Sequence, residues 1–183
     1  MSNTPLEENR SSLGRRYIAF VDKVSELSGT VAAYLLVPLV IVFLIEIIAR
    51  NVFNHPTTWA YGTCFIIGGC AAVLGFGYAM KNGAMVRIDI LYQRLGTKHK
   101  CILDLIMYTL IFLPVAIGGA YMCTIYAISS VSVGEMISVG SWNAPIWPTK
   151  IVMAISMIIL TMQGTAEMVQ DVLTLKELKQ EEK

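Results

Sequence analysis

Charge is what this sequence has least of. Only 15% of its 183 residues are Asp, Glu, Lys or Arg, against about 25% in soluble domains. The few charges crowd into the first 26 residues, into the stretch 81–100 and into the tail after Glu167. No basic face remains once the uncharged stretches are set aside, so a nucleic-acid partner is not indicated. The four cysteines include no C-x-x-C pair. Cys64, Cys70 and Cys123 lie in apolar runs, and Cys101 lies where a charged segment gives way to one, which reads as packing by small apolar side chains. No glycine loop leads into a Lys-Ser or Lys-Thr pair, so a phosphate cradle is excluded. The polar first 26 residues have no signal-peptide core, so no cleavage is expected there.

What the sequence does have is apolar length. It is 55% hydrophobic with a mean hydropathy of +0.61, above the 45–50% of typical soluble domains. Four runs stand out, at about 27–49, 59–80, 105–130 and 145–169. Each can cross about 30 Å of hydrocarbon, which takes about 20 helical residues. Helices are required because lipid offers no partner for backbone N–H and C=O groups. The expected fold is all-α: a single membrane domain over 1–183 with four transmembrane helices. Pro38 and Pro114 each remove one helical hydrogen bond and are candidate kinks.

Lys and Arg set the expected orientation. All but two of the 14 fall in the N-terminal arm, the 81–100 loop or the C-terminal tail. Both termini and that loop are therefore expected in the cytoplasm, with Arg50 and Lys150 on the outer side. Trp59, Trp142 and Trp147 would form an outer aromatic belt. His55 and His99 then lie on opposite sides, which excludes paired ligation of one metal or haem. The outer loops also lack the cysteines of a membrane disulfide oxidoreductase. No catalytic constellation remains, and the chain reads as no enzyme.

Three local features are candidates for structure or partner contact. Residues 85–95 place Met85, Ile88, Leu91, Tyr92 and Leu95 on one helical arc, with Arg87, Asp89, Gln93 and Arg94 opposite. That is the pattern of a short amphipathic helix, lying on the cytoplasmic surface or packed on another protein. Arg15 to Leu27 carries a weaker version that could continue into the first span. The second span carries Gly68, Ala72, Gly75 and Ala79 on one face, where another helix can approach closely. Glu46 is the one charge clearly inside a span, a costly placement, and Arg50 follows one turn later. Two readings fit: an ion pair or partner contact, or a proton or cation relay.

The motifs together resemble a family. The chain reads Arg50-Asn51-Val52-Phe53-Asn54 followed by Trp59. After span two it reads Gly83-Ala84-Met85-Val86-Arg87-Ile88-Asp89, and before span four Pro145-Ile146-Trp147-Pro148. This resembles the small membrane subunit of tripartite ATP-independent periplasmic (TRAP) transporters, the DctQ-like family, over nearly the whole chain. Two departures are an Ala60-Tyr61-Gly62 stretch where an acidic residue often follows the Trp, and Met85 at the usual His. The resemblance implies a bacterial inner-membrane protein with three partners. These are the bilayer, a large membrane subunit that carries solute and sodium ions, and a periplasmic substrate-binding protein. The solute is expected to be an organic acid. This chain would be an accessory scaffold without a cofactor. The alternative reading is a self-sufficient oligomeric channel or exporter with Glu46 lining the path.

Overall fold

A computed structural model describes residues 5–83, 97–139 and 142–181. The described elements are α1 (Pro5–Asn51), α2 (Ala60–Lys81), α3 (Thr97–Met107), a π-helical segment (Tyr108–Phe112), α4 (Leu113–Val133), the strands β1 (Met136–Val139) and β2 (Trp142–Pro145), and α5 (Trp147–Glu181). Four helical stretches are long and apolar enough to cross a membrane: Gly14–Asn51, Ala60–Lys81, Ile102–Val133 and Trp147–Leu175. The expected spans 27–49 and 105–130 fall within them, and those at 59–80 and 145–169 begin one and two residues before the observed helices. The expected amphipathic helix at 85–95, with Arg87 and Asp89, lies outside the described residues.

The rods run up, down, up and down. At 47 residues α1 is about 70 Å long, more than twice the hydrocarbon thickness of about 30 Å. Its first half therefore extends past one membrane surface. The arm from Arg15 to Leu27 is continuous with the span, and Pro38 sits inside the helix without ending it.

The chain does not form a square bundle. Helices α1, α2 and α5 pack on one another, while α4 lies chiefly along α5. Small side chains permit the close approaches. A Cβ on Gly77 would lie 2.9 Å from Ile159 Cγ2, so this glycine lets α2 rest directly on α5. Ala127, Cys123 and Ala154 form the buried contact between α4 and α5, flanked by Ile151, Met153 and Met157. Only 6% of the first membrane window and 28% of the fourth are buried inside the chain. Most apolar surface is thus left for lipid or another protein, as expected when lipid tails are as apolar as leucine.

The third rod is not a plain α-helix. Pro114 has no N–H and crowds the carbonyl four residues before it. Just ahead of it the ladder widens to a π-helix, with Leu113 N–H bonded to Tyr108 O. Tyr108 and Phe112 meet edge to face at 5.5 Å and 82°, and Phe112 lies over Gly164 of α5.

Much of the connector between the third and fourth spans is structured, and the fourth helix begins at Trp147 instead of 145. Strands β1 and β2 pair antiparallel, Met136 with Pro145 and Val139 with Trp142. The sequence carried a signal for it. Ile137 and Val139 precede a Gly-Ser pair and a Trp, which is hairpin composition. Pro145 sits at the hairpin's end, where its missing N–H costs least.

Candidate functional site

The end of the molecule where α1 meets α2 carries the most developed polar geometry. Glu46 lies on α1, one turn before Arg50. Its Oε1 accepts Arg50 Nη2 at 2.8 Å and Nε at 3.2 Å. Its Oε2 accepts the backbone N–H of Thr57 at 3.0 Å, and the Thr57 hydroxyl donates to the same oxygen. The carboxylate is therefore spent inside the chain, with its side chain 16% exposed. It ties the loop that follows α1 back onto the helix. That loop turns at Asn54, whose φ is 51°, a left-handed conformation that Asn tolerates better than most residues. His55 N–H then returns to Ala49 O at 3.0 Å. The pairing of Glu46 with Arg50 was legible from their spacing. Thr57 was not, because an eleven-residue separation across a turn leaves no periodic trace.

Beside this clamp is a cleft of about 280 Å³, lined by Phe43, Ile47 and Arg50 of α1 and by Tyr61 and Cys64 of α2. Trp59 stands just before α2 and Trp147 opens α5. Both indoles are partly exposed. They lie at the same end as the clamp, where α2 also meets β2.

The second-span stripe has an unequal fate. Gly68 touches Leu39 of α1, with a built Cβ at 3.8 Å. Ala72 is exposed and Ala79 half-buried. Gly75 has no atom within 4 Å of a built Cβ. The glycines that hold helices together within the chain are Gly29, Gly77 and Gly164.

At the hairpin end Lys150 Nζ donates to Glu135 Oε2, and Ile146 N–H reaches Glu135 O at 3.1 Å. Hydrogen bonding from Lys150 holds the Glu135 carboxyl below the usual carboxylate range. The folded value is thus below the unfolded one. The stabilisation it brings is present above the ordinary glutamate value of about 4.3 and is lost as pH falls through the lower folded value. A carboxyl titration by NMR should give a Glu135 midpoint below about 4.3, raised by Lys150→Met. An unmoved midpoint in that variant would remove Lys150 as the cause.

Sequence reading passed over a third cluster, toward the end bearing both termini. Gln163 of α5 is 1% exposed and Ser25 of α1 is 0% exposed. Ser25 Oγ donates to Gln163 Oε1 at 2.6 Å, and Gln163 Nε2 donates to Asp22 Oδ1 at 3.0 Å. Ser28 Oγ donates to Ser25 O at 2.8 Å. One turn outward the Tyr17 and Thr165 hydroxyls are 2.8 Å apart. Thr165 gives its proton to Met162 O, so Tyr17 is the donor. The available signal was a lone Gln inside an apolar span, since polar groups there seek a partner on another helix.

These clusters tie loops to helices and helices to one another. Among the described residues, no group of three or more His, Cys, Asp and Glu is placed to hold a metal ion. The described cysteines Cys64, Cys70 and Cys123 are free thiols. Comparison with curated proteins and with solved structures gave no match. The family profile described as "Tripartite ATP-independent periplasmic transporters, DctQ component" matches residues 39–174, about three quarters of the chain. The matched stretch takes in the clamp, the cleft and the buried Gln163. The chain therefore belongs to the DctQ family of tripartite ATP-independent periplasmic transporters, as a multi-pass membrane component of a transport system and not an enzyme.

Proposed function

We propose that this single-domain chain is the accessory scaffold of a sodium-coupled transporter that imports an organic acid delivered by a periplasmic binding protein. It sits in the bacterial inner membrane with both termini in the cytoplasm, the orientation supported by its Lys and Arg distribution. The large membrane subunit carries solute and sodium ions. This chain braces its stationary part. Family membership over 39–174 supports the tripartite setting. The observation that carries the scaffold role is the engagement of Glu46: both of its oxygens are taken up by Arg50 and Thr57. A carboxylate held this way locks a loop and leaves nothing to relay a cation. The solute class and the sodium coupling rest on the resemblance alone.

Purification of the tagged chain from membranes expressing all three components should recover the large membrane subunit in near-equal amount. Liposomes holding this chain alone should not transport. Glu46→Gln in the complete transporter should leave the uptake rate within about twofold, because a single helical ion pair contributes little and an amide oxygen still accepts from Thr57. Loss of uptake in that variant, or transport by the chain alone, would instead support a path lined by Glu46.

A further inference from the structure

Of the 14 Lys and Arg residues, only Arg50 and Lys150 lie on the side proposed to face outward. The two are used differently. Lys150 is 25% exposed and gives its Nζ to Glu135. Arg50 is 67% exposed, whereas its partner Glu46 is 16% exposed. That pair is polarised. Its acidic end is turned inward and also takes up Thr57, while its basic end is turned out. Arg50 spends only Nε and Nη2 on Glu46, which leaves Nη1 to donate elsewhere. The guanidinium stands at the 280 Å³ cleft, whose open surface is almost wholly apolar. Ile47 and Phe43 line it three and seven residues before Arg50. The cleft therefore reaches two turns into the span, about 10 Å along α1. Ala60, Tyr61 and Cys64 of the first turn of α2 form the facing wall.

We propose that this cleft is a binding site for one phospholipid of the outer leaflet. Arg50 Nη1 meets the phosphate, and an acyl chain lies along Ile47, Phe43 and Cys64. The inference goes beyond the scaffold reading and needs only the outward placement of this end. Three properties select a lipid. The cation and the apolar walls follow one another along the span in the order of a phospholipid's own parts, head outermost and chain inward. A guanidinium is the side chain best matched to a phosphate, and it is the more weakly hydrated cation at such a boundary. The cleft is also short. A spanning helix of another subunit would seek contact across about 30 Å of hydrocarbon, and a soluble anion would gain nothing from an apolar trench. Glu46 does not oppose the phosphate, because its charge is already met by Arg50 and its second oxygen by Thr57.

The test uses the complete transporter, stripped of lipid in detergent and titrated with phosphatidylglycerol that carries a photoreactive group on one acyl chain. Irradiation should place adducts on residues 43–64 of this chain. Arg50→Gln should weaken that labelling about tenfold, the effect of losing one hydrogen bond to a charged group. That change also frees Glu46, so Cys64→Phe gives a second reading: it fills the cleft and leaves the ion pair in place, and should suppress the labelling as strongly. Ile125→Phe, on the exposed face of α4, should leave it unchanged. A diacylglycerol probe with the same chain and no phosphate should label weakly. Adducts spread evenly over all four spans, labelling indifferent to both cleft variants, or equal labelling by the phosphate-free probe would each overturn the proposal. A photoreactive amino acid in place of Tyr61, 72% exposed at the rim, identifies the occupant in native membranes. A lipid adduct is expected there. An adduct with another subunit or with a second copy of this chain would overturn the site and leave the scaffold reading standing.

Discussion

Gly29→Ala should be the most damaging single-methyl change in the protein. A Cβ built at Gly29 runs into the ring of Tyr78 and lies 2.6 Å from Tyr78 Cβ. An aromatic ring tip can swing aside, but a Cβ moves only with its backbone. Alanine at 29 would therefore push α1 away from α2 near the Glu26–Lys81 pair. Forcing a methyl into a packed contact costs about 3 kcal/mol at the upper end of its usual range, roughly a hundredfold in the folding equilibrium. Ordinary helix propensity points the other way, since alanine is the better helix former by about 1 kcal/mol, so the sign of the result is informative. Thermal unfolding of the purified chain in detergent reads it directly. The double variant Gly29→Ala with Tyr78→Gly should regain much of the loss. Tyr78→Ala should regain less, because it removes the ring and keeps the offending Cβ. A Gly29→Ala chain that melts with the unaltered protein would show that α1 and α2 do not approach this closely.

The position of that contact marks the boundary between what the sequence announces and what only the fold supplies. Spans were legible because hydrocarbon demands about 20 apolar residues whatever the helix packs against. The Glu46–Arg50 pair was legible because one helical turn separates its members. A run of small residues also announces that a helix can come close, but it does not say which helix comes. On α2 Ala72 is exposed and a Cβ on Gly75 would meet nothing, while the neighbouring Gly77 makes the contact with α5. Gly29, in an otherwise unremarkable Ser-Gly-Thr stretch, closes α1 on α2 because a tyrosine 49 positions away lands on it. Thr57 reaches Glu46 by the same kind of return. Such pairings depend on rotation and depth of whole helices, which local pattern does not encode. The hairpin is a different case. Ile137, Val139, Gly140-Ser141 and Trp142 carried the composition of strands about a turn, hidden by the expectation that a short connector between spans is a loop.

Gln163→Leu should cost about 2 kcal/mol, more than a buried side chain of similar size and greater hydrophobicity would suggest. Leucine gains in transfer to an apolar site, but it withdraws two hydrogen bonds at once. Ser25 Oγ loses its acceptor at a site with no exposure, and Asp22 Oδ1 loses the Nε2 donor. The damage lies in the groups left behind, so a second substitution should undo part of it. Ser25→Ala together with Gln163→Leu should be more stable than Gln163→Leu alone, with a coupling of about 1 kcal/mol, within the range of interhelical hydrogen bonds in membrane proteins. Gln163→Glu separates polarity from charge. It keeps an acceptor for Ser25 and turns the donor facing Asp22 into a second carboxyl, so its deficit should shrink as pH is lowered and one of the pair takes up a proton. The Gln163→Leu deficit has no such dependence. The location of these residues gives the bonds a further consequence. Ser25 and Asp22 lie on the part of α1 that extends beyond the expected span, and Gln163 lies on α5 six residues short of its expected end. A slide of either helix by one turn, about 5.4 Å, would break both bonds and part Tyr17 from Thr165. The apolar contacts around them would survive such a slide with little change. The polar cluster therefore fixes the relative depth of α1 and α5. If Gln163→Leu leaves the melting temperature and the α1–α5 cross-links between positions 17 and 165 unaltered, the depth is fixed by packing alone.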